Sequence, residues 1–287
     1  MIARYIIVVF LTSFSCISIF AQDLVKPGIH SKGLNIHNPA SETIKDDRYQ
    51  SIDVYGKQKF IDNPAWNKDM NIMLSYAARV GRESGFWTVS YLYDNYSYYN
   101  RHILSLGYGK GWSLSEKKYL SVGIRGVLNS NDVKWQKLYN YQGHNMRQSL
   151  YMMPDMDMGV EYCFGKIRTG ISLRNIFATT RYLHKEGVIL YDRRMLFYDI
   201  EYKHLLAKDF KIGYHISAYL ERDIIADVGF LVEYKEKYNF IYNFRLLETR
   251  HIGGFMVNFE KINLGVVYDI SHLHIDHNIE FVVGVKL

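Results

Sequence analysis

Between residues 155 and 174 apolar and polar side chains change places at every step. Met156, Met158, Val160, Tyr162 and Phe164 fall on one face, and Asp155, Asp157, Gly159, Glu161 and Cys163 on the other. After Gly165-Lys166, Ile167, Thr169, Ile171 and Leu173 alternate with Arg168, Gly170, Ser172 and Arg174. A period of two is that of a β-strand, whose successive side chains point to opposite faces. The stretch therefore predicts a tight hairpin with one apolar face and one charged face.

The same unit recurs along nearly the whole chain. Fourteen such runs are predicted, from residues 51–59 to residues 277–287, with 102–112, 119–128 and 155–164 among them. No stretch has the period of a long amphipathic helix. A soluble sandwich would alternate too, so loop length has to decide. Connections after even-numbered strands are all short, whereas the long ones, 129–154 and 175–194, both fall on the other side. One-sided loop length marks an outer-membrane barrel, which closes hairpins on the periplasmic side and carries its long loops outside. Tyr91, Tyr93, Tyr108, Tyr198, Tyr202, Tyr234, Phe259 and Tyr268 lie towards strand ends on the apolar face, as interfacial girdles do. The predicted fold is all-β: a transmembrane antiparallel β-barrel of about fourteen strands over residues 51–287.

Upstream, Arg4 precedes an apolar run from Tyr5 to Phe20, and Ala21-Gln22 offers a small-residue cleavage point. Residues 1–21 read as a signal peptide that is removed, too short to span. Phe14-Ser15 before Cys16 is a poor lipidation motif. Residues 22–50, with Pro27, Gly28, Gly33 and Pro39, read as a periplasmic or lumen-entering segment that does not span. After cleavage Cys163 is the one cysteine left, so no internal disulfide closes the fold; it reads as a small buried filler. The net charge of +6 is scattered among acidic residues, with no basic stripe for nucleic acid.

The polar faces carry both signs. Arg125, Arg168 and Arg174 with Glu161, Glu201 and Asp227 are the candidates for ion pairs inside the lumen; interspersed signs suit a largely occluded interior better than a selective pore. Asp269, His272, His274, Asp276 and His277 form the densest possible metal cluster, but they sit in an outer turn where solvated His and Asp are ordinary, so no metal or cofactor is expected. Nothing converges on a catalytic constellation, and no hydrolase motif is present. The protein reads as non-enzymatic. Tyr96, Tyr98 and Tyr99 in one loop, with Trp135, Tyr139 and Tyr141 in the next, form a candidate extracellular partner surface rich in Tyr and small amides.

Asn38-Pro39-Ala40 resembles the Asn-Pro-Ala signature of the PorP/SprF family of type IX secretion outer-membrane proteins of Bacteroidetes. Pro154-Asp155, Gly159, Tyr162 and the run from Gly170 to Asn175 resemble its central region, and His277-Asn278-Ile279-Glu280 its closing segment. The resemblance implies a Gram-negative outer-membrane location amid lipid and lipopolysaccharide. It also implies a role in secreting or attaching adhesin-like proteins alongside other secretion components. The alternative readings are a porin-like passive channel or small-solute transporter and, from a third class, a barrel hydrolase.

Overall fold

The computed structural model describes residues 37–41, 50–61, 70–80, 85–95, 99–133, 149–178, 180–183, 188–191, 194–220, 224–271 and 276–287. The strands are β1 (Gln50–Ile61), β2 (Met70–Val80), β3 (Gly85–Asn95), β4 (Tyr99–Ser115), β5 (Lys118–Val133), β6 (Ser149–Phe164), β7 (Ile167–Arg174), β8 (Thr180–Leu183) and β9 (Val188–Tyr191). There follow β10 (Met195–Ala207), β11 (Phe210–Leu220), β12 (Ile224–Tyr234), β13 (Tyr238–Arg245), β14 (Arg250–Asn258), β15 (Ile262–Ser271) and β16 (Asp276–Lys286). Fourteen of them form a closed antiparallel meander in chain order, β7 pairing directly with β10, while β8 and β9 make a separate hairpin. Closure comes from β1 on β16, in register from Ser51↔Lys286 to Ile61↔Asp276. The Leu287 amide, donating to the Gln50 carbonyl at 3.0 Å, finishes the seam.

Burial decides between barrel and sandwich. A soluble sandwich hides its apolar face; this chain does the reverse. Leu106, Ile124 and Val266 on the outer face are 54%, 51% and 49% exposed, whereas Asp157, Asp227 and Glu280 on the inner face are 0% exposed. An apolar exterior around a polar interior is stable only in lipid, where closure also leaves no backbone edge unpaired. Aromatic rings pair across neighbouring strands on that exterior, as Phe210 with Tyr234 and Trp87 with Tyr108, at centroid separations of 4.7 and 4.9 Å.

The inner face is not uniformly polar. Met195, Phe197, Tyr219 and Ile225 form one buried apolar cluster. Leu231, Ile241, Ile252, Met256 and Val267 form another. Barrels of about 8 strands fill with their own side chains, and those of roughly 16–18 leave a water channel. A barrel of fourteen lies between, so long inward side chains and an added segment are needed to fill it.

Two differences from the sequence reading have physical causes. Strands β4, β5 and β6 extend beyond the barrel on the long-loop side, pairing as far as Tyr99↔Val133 and Val133↔Ser149. Met152 and Met153, apolar on both faces, and Pro154 blur the alternation there. Pro154 is accommodated because β7 pairs with β6 only up to Met158↔Leu173, so its missing N–H interrupts no β6–β7 ladder bond. The connection 175–194 contains the β8–β9 hairpin, whose strands of 4 residues each are too short for a period to register.

Candidate functional site in the barrel lumen

The inner faces of β5, β6 and β7 carry small residues at one level: Gly123 opposite Gly159, and Gly159 opposite Ser172, with Ser121 and Gly170 one step towards the short-turn end. These positions leave a trough in the wall, and the chain's own residues 37–41 lie in it. A Cβ on Gly123 would sit 2.3 Å from the Pro39 carbonyl oxygen, and one on Gly159 would sit 2.0 Å from Asn38 Oδ1. A Cβ on Gly170 would come within 2.8 Å of Asn38 Nδ2 and 2.5 Å of Asp199 Oδ1. Only glycine permits this approach.

The segment is held as well as accommodated. The Ser172 hydroxyl donates to the His37 carbonyl at 2.6 Å, and the Ser121 hydroxyl donates to the Ala40 carbonyl at 2.8 Å. Asn38 Nδ2 donates to the Val160 carbonyl at 3.1 Å. Asn38 Oδ1 accepts from the Ala40 amide at 2.9 Å, and the Asn38 carbonyl accepts from the Ser41 amide at 3.1 Å. Asn followed by Pro is the ordinary opening of a β-turn, the side chain bonding its own backbone two residues on while the ring presets φ. The His37 ring packs 4.9 Å from Phe197 and 5.0 Å, edge-on, from Tyr219. His37, Asn38 and Ala40 are all buried.

Ion clusters flank the segment above and below. Towards the long loops, Arg125 grips Asp157 through Nε at 3.0 Å and Nη2 at 2.7 Å. Arg174 adds its Nε at 3.6 Å from the same carboxylate, whose other oxygen accepts from the Asn175 amide at 2.9 Å. Towards the short turns, Arg168 bonds Glu201 at 2.7 Å and Glu161 at 3.2 Å, with Asp199 at 3.7 Å. Further round the wall Arg245 is bidentate to Asp227 at 2.8 and 3.0 Å. Buried charges of this kind are tolerated because each has its counter-ion and hydrogen bonds.

The structure thus brings Arg125, Arg168, Arg174, Glu161, Glu201 and Asp227 into ion pairs, and Asn38, Pro39 and Ala40 into the trough between two of the clusters. Tyr96, Tyr98, Trp135, Tyr139 and Tyr141 lie outside the described residues; Tyr99 opens β4. Of the His/Asp cluster, His272 and His274 also lie outside them, and Asp269 is engaged by Arg250 Nε at 2.8 Å and Asn278 Nδ2 at 3.0 Å. Cys163 is half-buried, with Sγ 3.9 Å from Glu161 Oε1. Asp157 and Asp199, acidic residues that the alternation already places on polar faces, complete the two clusters, whereas the wall residues Ser121, Gly123 and Ser172 were not read as part of a site. The signal for the wall was small residues recurring on the polar face of three consecutive strands.

Space in the lumen is unequal. Beside Arg125 and Asp157 a cavity of about 40 Å³ remains. At the short-turn end a cavity of about 1030 Å³ opens, walled among the described residues by Lys203, Lys211, Lys286 and the turns after β12 and β14, over Leu231, Ile241 and Met256. Glu236 in one of those turns is held below the usual carboxylate range by its hydrogen bond with Lys211.

Solved structures of similar fold include monoaromatic hydrocarbon channels and an outer membrane protein. A TodX deltaS2S3 mutant monoaromatic hydrocarbon channel aligns with TM-score 0.53 and 12% identity over 89% of this chain and 94% of that one. The CymD monoaromatic hydrocarbon channel gives 0.52 and 12% over 91% and 92%. The outer membrane protein Omp33 of Acinetobacter baumannii gives 0.51 and 9% over 84% and 99%. At such identities the likeness is one of fold. No curated protein matches the chain by sequence. The sequence profile of the type IX secretion system membrane protein PorP/SprF matches residues 34–285, a span that starts just ahead of the lumenal turn and runs through the last strand. The chain is a multi-strand outer-membrane protein and belongs to the PorP/SprF family of the type IX secretion system.

Proposed function

We propose that the protein is a closed, non-enzymatic outer-membrane barrel that helps adhesin-like proteins of type IX secretion reach or remain on the cell surface. The observation that carries this reading is the buried Asn38–Ala40 turn, seated in the Gly123–Gly159–Gly170 trough between the Arg125–Asp157 and Arg168–Glu201 clusters. A lumen occupied in this way leaves the long-loop surface as the working face. Residues 1–21 serve as the export signal, and residues 22–50 form the segment of which His37–Ser41 enter the lumen. The loops containing Tyr96, Tyr98 and Tyr99 and Trp135, Tyr139 and Tyr141 form the surface that meets cargo and other secretion components. The outward apolar band contacts lipid.

The test is a mild-detergent pull-down of the tagged protein from outer membranes of its own host, with mass spectrometry, paired with planar-bilayer recording. Recovery of a large secreted protein with secretion components, and no steady conductance, is the expected result. Recovery of the barrel alone with a large steady conductance would replace this reading by that of a passive channel or small-solute transporter.

A further inference from the structure

A gap opens in the lipid-facing wall near the long-loop end. In register across β13, β14, β15, β16 and β1, Phe244, His251, Ile270, His277 and Phe60 form one outward row. The next outward row, one step further into the membrane, runs Tyr242, Gly253, Tyr268 and Ile279. Glycine thus stands between two tyrosines, and neither covers it. The Tyr242 hydroxyl is engaged with His251 Nδ1 at 2.6 Å. Tyr268 stacks on His277 of β16, with ring centroids 5.9 Å apart. An aromatic ring can lie over a cross-strand glycine and shield it; here both rings are drawn to histidines, and a Cβ built on Gly253 meets no described atom within 4 Å. The result is a groove of bare backbone walled by two aromatic rings. At its outer end two imidazoles stand on β14 and β16, two strand spacings or roughly 10 Å apart. Tyr91 and His102 repeat the pairing on β3 and β4, hydroxyl to Nδ1 at 2.7 Å, but the residue opposite Tyr91 is Leu104, and no groove forms there.

We propose that this groove seats one phosphorylated lipid of the outer leaflet, an acyl chain lying along Gly253 between Tyr242 and Tyr268 and the phosphate meeting the rings of His251 and His277. Three features select that occupant. The groove faces hydrocarbon, so what fills it is apolar. The histidines lie where the strands leave the bilayer on the long-loop side, and the acceptors offered to a ring N–H at that level are headgroup oxygens. A phosphate is the strongest of these, because its hydrogen bonds are charge-assisted. The side chains in register with the two histidines, Phe244, Ile270 and Phe60, carry no charge, so no carboxylate on those neighbours competes with the phosphate. The site stands apart from the cargo role proposed above and rests only on the barrel's place and orientation in the outer membrane.

The purified full-length protein in detergent is titrated with diphosphoryl lipid A, and bound lipid is counted by native mass spectrometry. Saturable binding of a single lipid per barrel is expected, with dephosphorylated lipid A weaker by roughly tenfold or more. Gly253→Leu keeps the outer face apolar, suits a strand better than glycine and reproduces the arrangement at Leu104. It should lose roughly tenfold or more in affinity for both lipids. The combined His251→Leu and His277→Leu variant should lose the preference for the phosphorylated form. His102→Leu should leave affinity and preference unchanged. Heat-modifiable migration on gels establishes that each variant is folded. No saturable binding, or equal affinity in Gly253→Leu, overturns the proposal. An equal loss in His102→Leu does so too, since any part of the aromatic girdle would then serve. Displacement of the lipid by millimolar inorganic phosphate would reduce the site to an anion site, and a dimer dissolved by Gly253→Leu would give the groove to a second copy of the chain; either result also overturns it.

Discussion

Replacing Gly123 by valine should evict the lumenal turn without harming the barrel. The new Cβ would stand 2.3 Å from the Pro39 carbonyl oxygen, 2.4 Å from its carbon and 2.7 Å from the Ala40 nitrogen, all of them backbone atoms that no rotamer change can move. Eviction gives up three hydrogen bonds: Ser121 to Ala40, Ser172 to His37 and Asn38 to Val160. At about 0.5–1.5 kcal/mol net for each, docking loses about 2–4 kcal/mol, which lowers the docked-to-free ratio by roughly 30- to 1,000-fold. The strand itself gains, since valine suits a β-ladder better than glycine. The assay is the labelling rate of Ala40→Cys by a membrane-impermeant maleimide, in a Cys163→Ser background. Ala40 is fully buried, so labelling should be slow with Gly123 in place and faster by at least an order of magnitude with valine. Bilayer recordings should show new conductance in the same variant. Equal labelling rates in two folded barrels would refute the claim that the trough holds the turn.

Asp157→Asn removes the carboxylate shared by Arg125, Arg174 and the Asn175 amide, so unfolding in urea should show a loss of about 3–5 kcal/mol, as for other buried pairs broken from one side. Arg168→Met leaves Glu161, Asp199 and Glu201 facing one another; stability should fall, and any residual current should become cation-selective in reversal-potential measurements. Ile124→Arg puts a charge on the lipid-facing side of β5 and should cost about 2–4 kcal/mol in a lipid refolding titration if the site lies near the midplane. Deleting residues 134–148 should leave the barrel folded, because β5 and β6 are already paired up to Val133↔Ser149, while cargo retention in the pull-down is lost.

Much of this architecture was legible because a barrel strand writes its two environments directly into its residues. In β11 Ile212, Tyr214 and Ile216 alternate with Gly213, His215 and Ser217, and register follows from that pattern. Where the inner face is not polar the code weakens: Met195 and Phe197 share a face with Asp199 and Glu201, and only packing against Tyr219 and His37 explains them. The site was half legible. Asn38-Pro39-Ala40 and the run with Gly159 and Gly170 each stood out as motifs, but their contact joins residues about 120 positions apart. Nothing local encodes it. A missing side chain is the only trace such a contact leaves in sequence, and a glycine gives no hint of which atoms come close to it.

The lumenal turn is bonded to three neighbouring strands at once, by Ser121 on β5, by the Val160 carbonyl on β6 and by Ser172 on β7. In mechanical terms it is a rivet through three staves. A sheet yields most easily when one strand slides along the next, and a body bonded to three strands resists that sliding. The long connection between β5 and β6 then rises from a stiffened sector of the wall.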